Sequence, residues 1–269
     1  GKGAGSFSCL ASDCLVEIHG LSFANQCFPL KTYESLEDYK TRISKENSKK
    51  NKHSNELDMF ANIEISEPMI TALSGNQYIV RDGISDDAIT HFREHYNDNS
   101  LDKEDLFYYI YGILHSSDYR GKYKNNLTKD LPYIPEANNI TDFKNFSKYG
   151  KELAELHINY EKIESYPATL NKAINDLSDI DCDVEKMKFA KLPTNKKEDD
   201  KTTIIYNSNI TISNIPIEAY DYVVNGYSPM EWIIKRNEIS TDKDSGIVKN
   251  PNNFALEAMD NPKYILEIL

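Results

Sequence analysis

Between Ser116 and Asn125 the sequence SSDYRGKYKN brings together Ser116, Ser117, Tyr119, Arg120, Lys122, Lys124 and Asn125. Arg and Lys position a protein on phosphate oxygens, while Arg, Lys, Asn and Ser can also pair with base edges in a groove. The chemistry this set suits is hydrogen-bonded recognition of a polyanion rather than bond making. Exposed helices often carry Lys and Asn, so the residue types alone do not decide the matter. Lys243 and Lys249, in STDKDSGIVKNPN, are weaker candidates of the same kind.

No pattern for catalysis competes with it. The chain has no Gly-rich phosphate loop, no Gly-X-Ser-X-Gly elbow, no His-Glu-X-X-His and no dinucleotide fingerprint. His91 and His95 stand four apart, as metal ligands on a helix can, but no third ligand is identifiable, and a solvated helix face is the preferred reading. His115 could shuttle a proton, with capping or packing the simpler role. Asp242, Lys243 and Asp244 open like a calcium loop, yet the later acidic ligands are missing and a turn is expected. Cys9, Cys14, Cys27 and Cys182 lack the short paired spacings of a zinc site even with His19 nearby, which favours reduced thiols and a cytoplasmic setting. No metal and no catalytic residue is therefore expected.

Composition sets the bounds. The 269 residues are 39% hydrophobic and 28% charged, enough apolar surface for a core without disulfides. No stretch approaches the roughly 18 apolar residues that would cross a bilayer, so no membrane is expected as a partner. The N-terminus lacks a signal-peptide pattern and reads as the start of a fragment. A net charge of −12 argues against indiscriminate coating of nucleic acid. The charge is uneven: Lys31–Lys52 holds seven Lys/Arg against four Asp/Glu, and Tyr119–Lys151 seven against three.

The elements that must hold the candidate residues follow from pattern. Residues 1–30 mix short apolar runs with Gly and Ser and suit strands. Lys40–Glu56 is polar, basic and without apolar periodicity, so a mobile loop or insertion is expected. Gln77–Val80 favours strand. Ser85 precedes a helix with one apolar face at Ala88, Ile89, Phe92 and Tyr96. Asp102 is a plausible N-cap, with Asp105 at the third helical position, for a helix whose core, Phe107–Leu114, is apolar all round and hence buried. His115–Asp118 should stop it and start a basic helix from Tyr119 to Leu131, ended by Pro132 and Pro135. Spacings of three and four from Phe143 to Tyr160 give an amphipathic helix. KMKFAKLP and TTIIYNSNITISNIP read as strands around a charged loop, Pro193–Lys201, with a hairpin at Asn207–Asn209. Asn225-Gly226 is a turn, Ser228 an N-cap, Pro229 the first residue of a short helix.

Four blocks in fixed order carry a resemblance: QCFPL, YYIYGILHSSDYRGKYKNNLTKDLPYIP, GKELAELHINYE, and ITISNIPIEAYDYVVNGYSPMEWIIKRNEISTDKDSGIVKNPN. Together they resemble the C-terminal target-recognition region of Type ISP restriction–modification enzymes and related large helicase/methyltransferase polypeptides, over nearly the whole chain. The Lys40–Glu56 stretch has no counterpart in it. The resemblance implies a domain that recognises double-stranded DNA and follows the methyltransferase and translocase domains of one polypeptide. Adenine-N6 methylation and ATP-dependent cleavage, with S-adenosylmethionine, ATP and Mg, would belong to those domains. This fragment lacks the family's Asn-Pro-Pro-Tyr methyltransferase motif and its helicase motifs, and is implied to be noncatalytic.

The expected fold is α+β, with mixed sheet elements around a buried helix and an amphipathic one. Residues 1–30 are expected to connect from the preceding region, 31–195 to form the recognition core, and 196–269 a smaller β/α unit. A protein–protein scaffold rich in surface tyrosine is the alternative. An independent small-molecule enzyme would need a deep pocket of convergent groups.

Overall fold

A computed structural model of the chain describes residues 7–14, 26–72 except 51–67, 74–173 and 176–269. It divides into two units, one of Cys14–Lys122 with Pro132–Ala154, the other of Gly1–Asp13, Tyr123–Leu131 and Glu155–Leu269. The α+β class is as expected.

The first unit begins with β1 (Lys31–Ser35), α1 (Leu36–Lys50), β2 (Met69–Thr71) and β3 (Gln77–Asp82). The strands form an antiparallel sheet in the order β1-β3-β2, with Tyr33 opposite Val80 and Ile70 opposite Tyr78. Here the basic stretch departs from expectation: Lys40–Lys50 is helix, and the remaining residues 51–56 lie outside the described ones. Its start is fixed locally, because the Ser35 hydroxyl accepts from the Asp38 amide and donates to the Asp38 carboxylate at 2.6 Å. Tyr39 buries its ring, and the neighbouring Arg42 joins Arg81 on Glu34. Those hydrogen bonds, Arg42's first, hold the Glu34 carboxyl at about 2. Lys31 pairs with Asp82. Lys31 and Arg42, two of the seven cations of the first basic island, are thus held in internal ion pairs.

Four helices follow: α2 (Asp86–Tyr96), α3 (Lys103–His115), α4 (Ser117–Lys122) and α5 (Ile140–Ile158). Ser85 caps α2, and Asp102 with Asp105 closes a capping box on α3, as their types and spacing require. Phe92, Tyr96, Tyr109 and Phe143 pack ring on ring, Tyr109 stacking on Phe143 at 4.5 Å. Where α3 meets α5 the backbones touch, with glycines at Gly112 and Gly150. The segment before α5 has no regular structure, and three tyrosine hydroxyls hold it. Tyr119, Tyr109 and Tyr96 donate to the carbonyls of Tyr133, Pro135 and Ala137, at 2.7, 2.6 and 3.0 Å. Alternate backbone acceptors of a proline-interrupted strap are satisfied in this way by core aromatics.

The second unit carries β4 (Thr169–Leu170), β5 (Lys188–Lys191), β6 (Asp199–Ile205) and β7 (Thr211–Ser213) in an antiparallel sheet ordered β4-β7-β6-β5. Its core gathers Val184, Met187, Ile204, Tyr206, Ile210 and Ile265. The β6–β7 hairpin turns at Asn207, whose side-chain oxygen accepts from the amides of Asn209 and Ile210 while its amide donates to the Asp181 and Asp183 carbonyls. Because β5 pairs with β6, Lys188 facing Ile205, the expected division at 195/196 would cut through one sheet.

Beyond the sheet come α6 (Pro229–Arg236), β8 (Ser240–Thr241), β9 (Val248–Lys249), α7 (Pro251–Glu257) and α8 (Tyr264–Ile268). Asn225 and Gly226, both at positive φ, make the two-residue turn that closes the Val224–Tyr227 bridge. Ser228 and Glu231 then form the capping box of α6 with Pro229 at its start. Among residues 1–30, the described ones hold no strand, and most of CLVEIHGLSF lies outside the described residues.

Candidate nucleic-acid interface

The junction between α3 and α4 is built from the candidate residues themselves. The Ser116 amide donates to the Ile113 carbonyl, closing α3, and the Ser116 hydroxyl accepts from the Tyr119 amide at 3.3 Å, opening α4. Arg120 folds back so that its Nε donates to the Leu114 carbonyl at 2.6 Å, one of the acceptors a helix C-terminus leaves open. Tyr119 is buried and anchored on the proline strap. Ser116, Tyr119 and Arg120 therefore fix the junction, whereas Ser117 and Lys122 on the same short helix are exposed.

The expected helix to Leu131 ends at Lys122. Gly121 weakens it, and Asn125 and Asn126 favour turns over helix. The chain continues as turns in which the Tyr123 carbonyl accepts from the amides of Asn126 and Leu127, and the Asn126 carbonyl from Lys129 and Asp130. Lys124 and Asn125 are exposed there, in the second unit.

The second basic island shrinks as the first did. Lys144 pairs with Asp98, Lys151 with Glu104 and Lys148 with Glu152. Lys144 leads the contacts that hold the Asp98 carboxyl below the usual range. The cations of this island outside these pairs lie between Arg120 and Lys129.

Lys243 and Lys249 lie on the β8–β9 hairpin of the second unit, both exposed. The Lys249 ammonium donates to the Arg236 carbonyl at 2.7 Å. The Asp242 side chain caps the hairpin turn through the Asp244 and Ser245 amides and the Ser245 hydroxyl, the turn its sequence suggests. Sequence reasoning missed the neighbouring residues on α6. Lys235 lies 4.1 Å from the Tyr227 ring centre and Arg236 5.1 Å from that of Trp232, while the two rings meet edge to face. The pair of cations in WIIKRN, after a capped helix start, was the available signal.

The other candidates fall out as packing. His91 lies 2.7 Å from the Glu136 carboxylate on an exposed face, and His115 is within hydrogen-bonding distance of the Tyr111 carbonyl. Among the described residues no group of three or more His, Cys, Asp or Glu is placed to hold a metal ion. Cys9, Cys14, Cys27 and Cys182 form no disulfide with one another. An open groove along α1, lined by Glu34, Asp38, Thr41, Arg42, Lys45 and Glu46, has its perturbed groups, Glu34 and Arg42, satisfied by each other. No helix among the described residues is long and apolar enough to cross a membrane.

Solved structures similar to this chain include three DNA complexes. The ATP-dependent Type ISP restriction–modification enzyme LlaBIII bound to DNA is 37% identical over 75% of this chain, with a TM-score of 0.59. A nuclease-deletion mutant of the Type ISP enzyme LlaGI, in complex with a DNA substrate mimic, is 38% identical over 72%, at 0.54. The DrdV–DNA complex is 26% identical over 73%, at 0.56. The match covers 12%, 14% and 20% of those chains, so this chain corresponds to a small part of each. Comparison with curated proteins returned no match. The family described as the Type ISP C-terminal specificity domain matches residues 2–268, from one end of the chain to the other, and the chain belongs to it.

Proposed function

We propose that this chain recognises a specific double-stranded DNA sequence on behalf of a larger restriction–modification polypeptide. Family membership over residues 2–268 carries the reading, and the DNA held by three structural relatives supports it. Other domains of that polypeptide would then methylate an adenine at N6 and cleave with ATP, using S-adenosylmethionine, ATP and Mg. This chain's part is the grip on the duplex that a base-extruding methyltransferase needs beside its target. Exposed Tyr149, Tyr160 and Tyr166 suit contacts with the methyltransferase and translocase domains.

Within this reading Ser117 and Lys122 on α4 contact DNA directly, with half-exposed Arg120 beside them, and Lys124 and Asn125 of the second unit supply further contacts. Ser116 and Tyr119 hold α4 in place. Replacing Lys122 and Lys124 together by alanine in the intact enzyme is expected to weaken duplex binding about tenfold near 0.1 M salt and to flatten the log–log salt dependence by about 1.8, two phosphate contacts' worth. Unchanged affinity and an unchanged slope would remove the segment from the interface.

A further inference from the structure

The eleven residues from Ile239 to Lys249 are all exposed, yet they form an ordered hairpin rather than a loose loop. The ribbon is tied at both ends. The Ile239 amide donates to the Glu185 carbonyl, and Lys249 reaches the Arg236 carbonyl on α6. Its tip is closed by Asp242, whose side chain gathers the Asp244 and Ser245 amides, and by Gly246 at φ +70°. Ser240 stands opposite Lys249 on one face, and Thr241 opposite Val248 on the other. Ile247 and Val248 are 68% and 58% exposed, so the fold makes little use of two adjacent apolar side chains.

We propose that this β-ribbon enters the major groove of the duplex, with Lys235, Arg236 and Lys249 at its base holding phosphates. The inference rests on the DNA reading above and adds a second contact region to it. A two-stranded ribbon fits a groove about 12 Å wide, where Ser and Thr hydroxyls can pair with base edges and apolar groups can meet thymine methyls. Charge complementarity supports the duplex as occupant. Among the described residues Lys235, Arg236, Lys243 and Lys249 are in no ion pair, which places four cations on or beside the ribbon. Of the nearby acids, Glu238 is neutralised by Lys186, while Asp242, which accepts from the Ser245 amide and hydroxyl, keeps its negative charge. Asp244 remains as a carboxylate at the tip, a group that can accept from a cytosine amine. Aromatic faces under Lys235 and Arg236 keep their charges near the base of the ribbon.

The test uses the intact enzyme with duplexes that carry or lack its recognition sequence, titrated across a salt series. Lys235→Gln/Arg236→Gln should weaken both duplexes alike and flatten the salt slope by about 1.8. Ile247→Ser/Val248→Ser should leave the slope alone and cut the preference for the recognition sequence about tenfold, within the range of a single base contact. Both sites are exposed, so wild-type thermal unfolding is expected and checks that the fold persists. If both variants bind and discriminate as wild type while the Lys122/Lys124 variant loses affinity, the ribbon proposal is overturned and the DNA reading stands; a ribbon that docks on a neighbouring domain would give this result. If all three variants leave binding unchanged, the DNA reading falls and the ribbon proposal with it.

Discussion

Replacing Gly150 with alanine is expected to destabilise the first unit by about 3 kcal/mol, although alanine is the better helix former by about 1 kcal/mol. A Cβ at this position would lie 2.0 Å from the Tyr108 carbonyl oxygen and 2.8 Å from the Gly112 nitrogen. The crossing is reciprocal, since a Cβ at Gly112 would lie 2.4 Å from the Phe146 carbonyl oxygen. All of these neighbours are backbone, so no side chain can swing away, and α3 and α5 must separate. Separation would loosen the Tyr109–Phe143 stack and stretch the Lys151–Glu104 pair. Denaturant unfolding and amide-exchange protection of α3 would measure the loss. Gly121→Ala is the control of opposite sign. Nothing lies within 4 Å of the new Cβ on exposed α4, and a gain of about 0.5 to 1 kcal/mol is expected. A Gly150→Ala protein as stable as wild type would show that the helices do not touch as described.

Asn252→Ala is the second large loss, in the other unit and for a polar reason. The buried Asn252 side chain accepts from the Val184 amide and donates to the Val184 carbonyl, both at 2.9 Å. In effect the side chain completes a backbone pairing where no strand is available. Alanine would leave a buried donor and a buried acceptor unmatched, and roughly 3 kcal/mol is expected from the two together. Leucine should not rescue the protein, because it restores volume but neither hydrogen bond. Rescue by leucine in a denaturant titration would mean that packing, not pairing, fixes this site. Tyr206, whose hydroxyl donates to the Cys182 carbonyl, holds the same stretch.

What the sequence made legible was local. Asp102 with Asp105, Ser228 with Glu231, and Asn207 in its hairpin act over three residues or fewer, and each forms the cap or turn its type suggests. The readings that changed depended on partners far along the chain. Tyr119 stands in a basic stretch and reads as a contact residue, but a carbonyl fourteen residues away takes its hydroxyl into the core. The basic islands are diluted by Asp82, Asp98 and Glu104, which lie 46 to 51 residues from the lysines they neutralise. Helix α1 was missed because its apolar side is narrow: Leu36, Tyr39 and Ile43 have helical spacing within a run dominated by charge. Packing against β1 and β3 makes that narrow face sufficient. The ribbon between Ile239 and Lys249 gave almost no signal, since short exposed strands have no buried face to impose alternation.

The central claim is that this domain chooses the DNA sequence on which its polypeptide acts. The scaffold alternative places base reading elsewhere and leaves these surfaces to hold other domains. The most direct measurement is methylation mapping of the intact enzyme before and after its segment is exchanged for that of a relative with a different target. Transfer of the relative's recognition sequence together with the segment is the expected result; methylation that stays at the original sequence, in a folded and active exchange protein, would contradict it.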